Sequence, residues 1–338
     1  MIVLGIETSC DETAAAVVVD GCHTMASVVS SQIDVHHPYG GVVPELASRK
    51  HIEAIVPVVN QAIHDAGIPL KRIDAIAVTR GPGLVGSLLV GFSYAKAVAF
   101  ALDIPWTGVD HLEGHIHAVF LEPDPPPFPF IALLASGGHT CLYHVESYTV
   151  MRTLGQTLDD AAGEAFDKVA KMLGLGYPGG AVIEKTARSG NPRKIIFPRA
   201  YLDKSQYDFS FSGIKTAVKR YIQTHPEEYL RQIPDIAAGF QESVVEVLSY
   251  KVIRAAQERG CSHLALVGGV AANRRLREKV TSDAALQEIL VHIPDPALCG
   301  DNAAMIAAAG YHRLIRGDFS KMADDVYSRS PAQSTTIS

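Results

Sequence analysis

The stretch VDHLEGHIHAVF, residues 109–120, places His111, His115 and His117 within seven positions. Residues four apart on a helix share a face, so His111 and His115 form a pair while His117 points elsewhere. Imidazoles paired in this way can ligate Zn(II) or Fe(II), but the shell needs at least one more ligand. CGDNAAMIAAAG offers Asp301, just ahead of an Ala-rich helix. An aspartate there is also an ordinary N-cap, and a chain with 14 histidines uses many of them for packing. If the three converge, two histidines come from one lobe and a carboxylate from the other, and positions stay open for a substrate oxygen. HLEGH is not the zinc-protease H-E-x-x-H. Its Glu113 falls two places after the first histidine, where it cannot serve as that motif's general base.

Three other segments could hold a nucleotide. LLASGGHT puts Ser136, Gly137 and Gly138 at a strand end, where amides without a neighbouring Cβ approach an anion closely. The same tripeptide is a common hairpin turn. VGGVAANRRLR follows a buried strand and opens a helix, and its Asn273 could read a base or ribose, or cap that helix. GEAFDKVAKMLGLGYPGG predicts a helix over 164–173 stopped by Gly174, then a second starting near Gly180. Asp167 lies in the first and Glu184 one turn into the second, as ribose acceptors or as solvated acids. No Walker pattern G-x-x-x-x-G-K-[ST] is present, so a phosphate would not be held in the P-loop manner.

These residues need a scaffold, and the sequence reads as a duplicated one. IVLGIE, TSCDET and AAAVVVD read as strand, polar turn and strand, and FIALLA, SGGHT and CLYHV repeat that grammar about 128 residues later. DAIAVTRGPGLVGSLLVG and HLALVGGVAANRRLR each run from a buried strand through a Gly-rich turn into a helix, about 189 residues apart. The second half therefore carries an insert of roughly 60 residues. EPDPPPFPF, residues 122–130, is too stiff for a helix interior and reads as the connector. The expected layout is an N-terminal α/β lobe over 1–122 and a C-terminal lobe over 129–322. The second contains a helical insert at about 150–232, and a frayed polar tail follows over 323–338. A cleft between the lobes would be the ligand site.

Composition narrows the function. At 338 residues, with 47% hydrophobic and 20% charged residues, two cores can be buried. A net charge of −6 gives no global field for nucleic acid. RNA contact would rest on local clusters, Arg193, Lys194, Arg199 and Lys204 or Arg274, Arg275 and Arg277, or on a partner. The five scattered cysteines form no C-x-x-C pair and read as reduced thiols of a cytoplasmic protein. The first residues lack the pattern of a signal peptide. SYAKAVAFALDIPW is too short and too charged to span a bilayer, so no membrane partner is expected.

Taken together, GIETSCDETAAAV, GGVVPELASRKH, TRGPGLVGSLLVG, VDHLEGHIHA, LLASGGHT, GEAFDKVAKMLGLGYPGG, FSFSGIKTAV, VGGVAANRRLR and CGDNAAMIA resemble the bacterial TsaD family over residues 2 to about 320. This is the Gcp-type tRNA adenosine threonylcarbamoyltransferase branch of the sugar kinase, Hsp70 and actin superfamily. The resemblance implies two duplicated ribonuclease-H-like lobes with a nucleotide in the cleft. It implies transfer of a threonylcarbamoyl group from threonylcarbamoyl-adenylate to the exocyclic amine of the adenosine 3′ of a tRNA anticodon, releasing AMP. His111, His115 and Asp301 resemble the family's metal ligands, with Fe(II) usual and Zn(II) or Mg(II) as alternatives. Leu134, Ala135, Ser136, Gly137 and Gly138 resemble its substrate loop, and Asp167, Gly180 and Asn273 its adenylate contacts. Glu184 stands where Asp is frequent, with the charge kept and a longer reach. Asp11 and Glu12 face the cleft in this fold and are candidates for taking the amine's proton, or simply turn residues. The resemblance also implies a TsaB-like paralogue, paired through the N-terminal lobe, and a TsaE-like ATPase. Two rival activities are a metal-dependent protease and a kinase or ATPase of the same fold.

Overall fold

Two runs of buried apolar residues each organise a five-stranded sheet in this computed structural model, which describes residues 1–201 and 206–329. Lys204 and the tail beyond residue 329 lie outside the described residues. In the first sheet β1 (Ile2–Glu7), β2 (Glu12–Val19) and β3 (His23–Ser31) form an antiparallel meander. β4 (Ala75–Gly81) and β5 (Trp106–Asp110) then add in parallel on the other side of β1, giving the order β3-β2-β1-β4-β5. The second sheet repeats the plan with β6 (Phe130–Ala135), β7 (Thr140–Ser147), β8 (Val150–Gln156), β9 (His263–Val267) and β10 (Leu290–His292). Its order, β10-β9-β6-β7-β8, is the same sequence read from the opposite edge. The expected duplication of an α/β ribonuclease-H-like plan is therefore present.

The chain divides into two compact units, one made of Met1–Asp124 with the chain from Asp301 onward, the other of Pro125–Gly300. In the first unit the helices are α1 (Ile33–His36), α2 (Pro44–Asp65), α3 (Val85–Leu102), α4 (His111–His117) and α11 (Ala303–Ile315). α2 begins with proline at its first position and buries Ala47, His51, Ile55, Val58, Val59 and Ala62, a stripe at helical spacing. That stripe and Phe92, Ala95 and Ala99 of α3 pack with Leu4, Ile6, Val17, Ile76 and Val78 of the sheet. The second unit holds α5 (Ala162–Met172), α6 (Gly179–Ala187), α7 (Ser212–Thr224), α8 (Ile233–Arg259), α9 (Arg274–Ala285) and α10 (Pro296–Cys299). Its core centres on Phe166, Phe209, Phe211 and Phe240.

Three expectations need correction. The C-terminal lobe does not run to residue 322, because α11 packs into the first unit. Two glycines make the notch for it: a Cβ on Gly5 would lie 2.1 Å from the Ala303 carbonyl, and one on Gly114 would lie 2.6 Å from Ile306. Next, residues 150–156 do not open the helical insert. They are β8, third strand of the meander, and the additional helices follow it. Finally, the described part of the tail is anchored. The Ser320 amide donates to the Trp106 carbonyl at 2.9 Å, and the Tyr327 amide donates to that of Arg80 at 3.1 Å. The outer edge of β5 has backbone groups that no sixth strand satisfies, and this segment pairs with some of them.

Candidate functional site

In the first unit, Asp110 ends β5 and caps α4, its carboxylate accepting the Leu112 amide at 2.8 Å. Strand therefore turns directly into helix, a change from the helix-like reading of residues 109–120. His111 and His115 emerge on one face with ring centroids 4.7 Å apart. At α11 the cap is Asn302, whose Oδ1 accepts the Met305 amide at 3.0 Å. Asp301 is thus released from capping. Its Oδ1 lies 3.1 Å from His115 Nε2 and 3.6 Å from His111 Nε2, and one ligand atom from each residue fits within 4.8 Å of the others. Around a cation with bonds of about 2.0–2.2 Å, neighbouring donors stand about 3–3.6 Å apart, so the spacing suits a divalent metal.

Burial supports this fit. His115 is fully buried, and neither of its ring nitrogens makes a hydrogen bond. Its Nε2 is close to Asp301 but not aligned for one. A buried imidazole without a partner is costly, and a cation is the partner that a neighbouring carboxylate and second imidazole provide for. All three residues belong to the first unit, which corrects the expectation of a carboxylate from the opposite lobe.

Sequence reasoning missed Glu7. This fully buried carboxylate ends the apolar strand IVLGIE and accepts from the Ser9 amide, the Thr79 hydroxyl and, at 3.0 Å, His111 Nδ1. An acid closing a wholly buried strand was the available signal. Burial opposes charge on both partners, yet their mutual attraction prevails. It lowers the Glu7 carboxyl and, with help from Asp301, raises His111 to about 9. His117 stays outside the group, as expected. It donates Nδ1–H to the Glu113 carbonyl at 2.8 Å and packs on Phe120 and His312. Glu113 pairs with Arg313 at 2.6 Å and ties α4 to α11.

Asp11 and Glu12 lie in the β1–β2 turn and at the start of β2. Asp11 is buried, and Glu12 accepts the Ser31 hydroxyl at 3.0 Å. Burial, followed by the charges of Asp11 and Asp301, pushes Glu12 up to about 9.

In the second unit, Leu134 and Ala135 finish buried β6 and Ser136 begins the turn, with its amide on the His139 carbonyl at 2.8 Å. A Cβ on Gly137, Gly138 or Gly180 would meet nothing within 4 Å, and none of the three has the left-handed φ that demands glycine. Asp167 accepts the Gly179 amide at 2.7 Å and so holds the start of α6. Glu184 accepts from Arg188 at 2.8 Å and from the Arg274 amide at 3.3 Å. Asn273 had two readings, and the cap is observed. Its Oδ1 accepts the Leu276 amide, and its Nδ2 donates to Gln241. Glu184, Gln241, Glu242, Arg274 and Arg275 border a cavity of about 250 Å³.

The basic clusters are largely paired. Arg274 meets Glu278, Arg275 meets Glu242 through two bonds, Lys194 meets Asp235 and Arg199 meets Glu246. Arg277 is turned onto the carbonyls of Ala271 and Pro294.

The profile of the tRNA N6-adenosine threonylcarbamoyltransferase family, TsaD, matches residues 23–308. The chain belongs to this family. It is 60% identical to the enzyme of that name from Desulforapulum autotrophicum over 98% of this chain and 99% of the relative. It is 53% identical to the one from Syntrophobacter fumaroxidans, over 98% and 99%. Membership makes the chain a tRNA-modifying transferase, and nothing in these similarities favours a protease or a kinase. Two solved structures share only the fold, each at 15% identity. The activator of 2-hydroxyisocaproyl-CoA dehydratase from Clostridium difficile, with bound ADPNP, has a TM-score of 0.55 over 96% of this chain and all of its own. Full-length HypF in a phosphate- and nucleotide-bound form has a TM-score of 0.61 over 93% of this chain and 46% of its own. Both share the two-sheet α/β fold of this chain.

Proposed function

We propose that this chain moves a threonylcarbamoyl group from threonylcarbamoyl-adenylate to the exocyclic amine of the adenosine 3′ of a tRNA anticodon, with AMP leaving. The observation that carries the reading is the buried His111, His115 and Asp301 group in a chain of this family. The donor is a mixed anhydride already activated toward acyl transfer, so no nucleophilic serine or cysteine is required. What remains is to place a weakly nucleophilic amine against the carbonyl and to stabilise charge as it is attacked.

In this reading His111, His115 and Asp301 hold one divalent metal per chain, Fe(II) before Zn(II) or Mg(II). When bound, it supplies Lewis acidity toward substrate oxygens. Leu134 to Gly138 receive the adenylate, the open space over Gly137 and Gly138 admitting a ligand where a side chain would stand. Gly180, Asp167, Glu184 and Asn273 complete the adenylate contacts. For Asp167 and Asn273 that role is added to the structural bonds above. Asp11 and Glu12 are the candidates for taking the amine's proton.

Partners follow from charge and exposure. Pairing of Lys194, Arg199, Arg274 and Arg275 with carboxylates reduces the positive charge that these two clusters offer tRNA, whose binding relies on unneutralised cations. On α2 and α3, Ile52, Val56, Val85 and Leu89 are exposed. Those helices meet where a Cβ on Gly86 would lie 2.4 Å from Ser48 Oγ. An apolar face of this kind supports pairing with a TsaB-like paralogue, which completes the RNA surface; a TsaE-like ATPase acts on that pair in the cytoplasm. The test is threonylcarbamoyl transfer and tRNA binding, with and without the paralogue, across a salt series. We expect weak binding and poor turnover for the chain alone. Tight multiple-turnover activity of the isolated chain at physiological salt would remove the partner from the proposal. No transfer by the metal-loaded pair would remove the activity.

A further inference from the structure

The two histidines of the metal group are held differently. His115 makes no hydrogen bond at either nitrogen, and Asp301 stands 3.1 Å from its Nε2. His111 is tethered, its Nδ1 lying 3.0 Å from Glu7 Oε2 and 3.3 Å from Ser9 Oγ. Glu7 is itself fixed, since Oε1 accepts the Ser9 amide and Oε2 also accepts the Thr79 hydroxyl. The Ser9 amide and the Thr79 hydroxyl both donate to this carboxylate, which leaves Oε2 acting as an acceptor toward His111 Nδ1. An oxygen acceptor 3.0 Å from Nδ1 favours a ring proton on that nitrogen. Nε2, the atom that faces Asp301 at 3.6 Å, is then the nitrogen that can give its electron pair to a cation.

We propose that Glu7 is the positioning residue of the metal centre: it fixes the tautomer and ring plane of His111 and raises the donor strength of Nε2 toward the cation. The inference rests on the assignment of His111 as a ligand. Carboxylates behind ligating histidines typically change metal affinity by 10–100-fold. Thr79, which only steadies Glu7, has a smaller effect.

The experiment compares wild type, Glu7→Gln and Thr79→Val as full chains loaded with Co(II). Affinity is read by chelator competition, geometry by the visible ligand-field spectrum, and folding by circular dichroism. Expected for Glu7→Gln is a 10–100-fold weaker affinity with an altered spectrum in a folded chain. Thr79→Val should fall between it and wild type. A folded Glu7→Gln chain with wild-type affinity and spectrum would overturn the proposal. Nitrogen-15 shifts of His111 in the Zn(II)-loaded wild type give a reading that needs no variant. A proton on Nδ1 is expected, and one on Nε2 would overturn it. Failure of the His111→Ala chain to lose Co(II) would instead overturn the ligand assignment on which the inference rests.

Discussion

The metal group of the first unit and the nucleotide-loop residues of the second were read from the sequence with equal force, yet the fold treats them in opposite ways. At the metal group, the ordinary structural duties have been taken by neighbours. Asn302 caps α11 in place of Asp301, Asp110 caps α4, and His115 is buried without a bond. In the second unit the polar residues are busy. Asp167 anchors Gly179, Asn273 caps α9, and Glu184 bridges Arg188 and the Arg274 amide. There the sign of a ligand lies in the glycines, positions where a side chain would fit and none is present. The two regions thus differ in kind, with capping taken by Asn302 at the first and glycines that no steric contact requires at the second.

The largest effect should separate Asp301 from its neighbour. Asp301→Ala removes a ligand and keeps the cap, so metal bound per chain should fall at least about tenfold, as lost ligation predicts. Asn302→Ala removes the cap and keeps the ligand, costing about 1 kcal/mol with metal content unchanged. Elemental analysis and thermal melts in chelator read both. Equal metal content in the two variants would erase the distinction.

Adjacent glycines of α6 give the next contrast. A Cβ on Gly179 would lie 2.4 Å from Asp167 Cα, so Gly179→Ala should destabilise by about 1–3 kcal/mol. Gly180→Ala has room, and as an alanine in a helix it should stabilise by up to about 1 kcal/mol. Calorimetry should nevertheless show weaker binding of a stable adenylate analogue to Gly180→Ala. Unchanged affinity would make Gly180 an ordinary helix residue.

A last contrast sets a packed histidine against the proposed ligands. Burial, and then the nearby His117, lower His312 to about 4. An unfolded histidine takes up its proton near pH 6.5 while the folded one stays neutral. Native stability should therefore decline as pH falls from 6.5 toward 4, since the unfolded chain binds the extra proton. Urea titrations at pH 7, 6 and 5 should show this slope, reduced in His312→Gln. Identical slopes would leave His312 without a part in it.

The same division explains what could be read in advance. Hairpins and strand–turn–helix units announce themselves through local period and turn chemistry, so the duplicated sheets were legible, as were helices near α5 and α6. The ligand triplet was legible through residue type and spacing. The return of α11 to the first unit was not, because Gly5 and Gly114 act as notches only once a partner lies against them. β8 was hidden because VMRTLGQ has no buried stripe, with only Gly155 buried. Glu7 was passed over because a single acid at a strand end carries no motif. Its role arises from Thr79 and His111, 72 and 104 positions away.

The first unit is written in two pieces, and this orders events during synthesis. A ribosome releases residues 125–300, the whole second unit, as one uninterrupted block while the first still lacks α11. Asp301 emerges only afterwards, followed by the segment that lies along β5. The emerging N-terminal half can form its hairpins and present both histidines, but it has no carboxylate to set against them. Assembly of the proposed metal group is thereby deferred until residue 301 has emerged, and a truncated product stopping before it would have one finished unit and two histidines without their carboxylate.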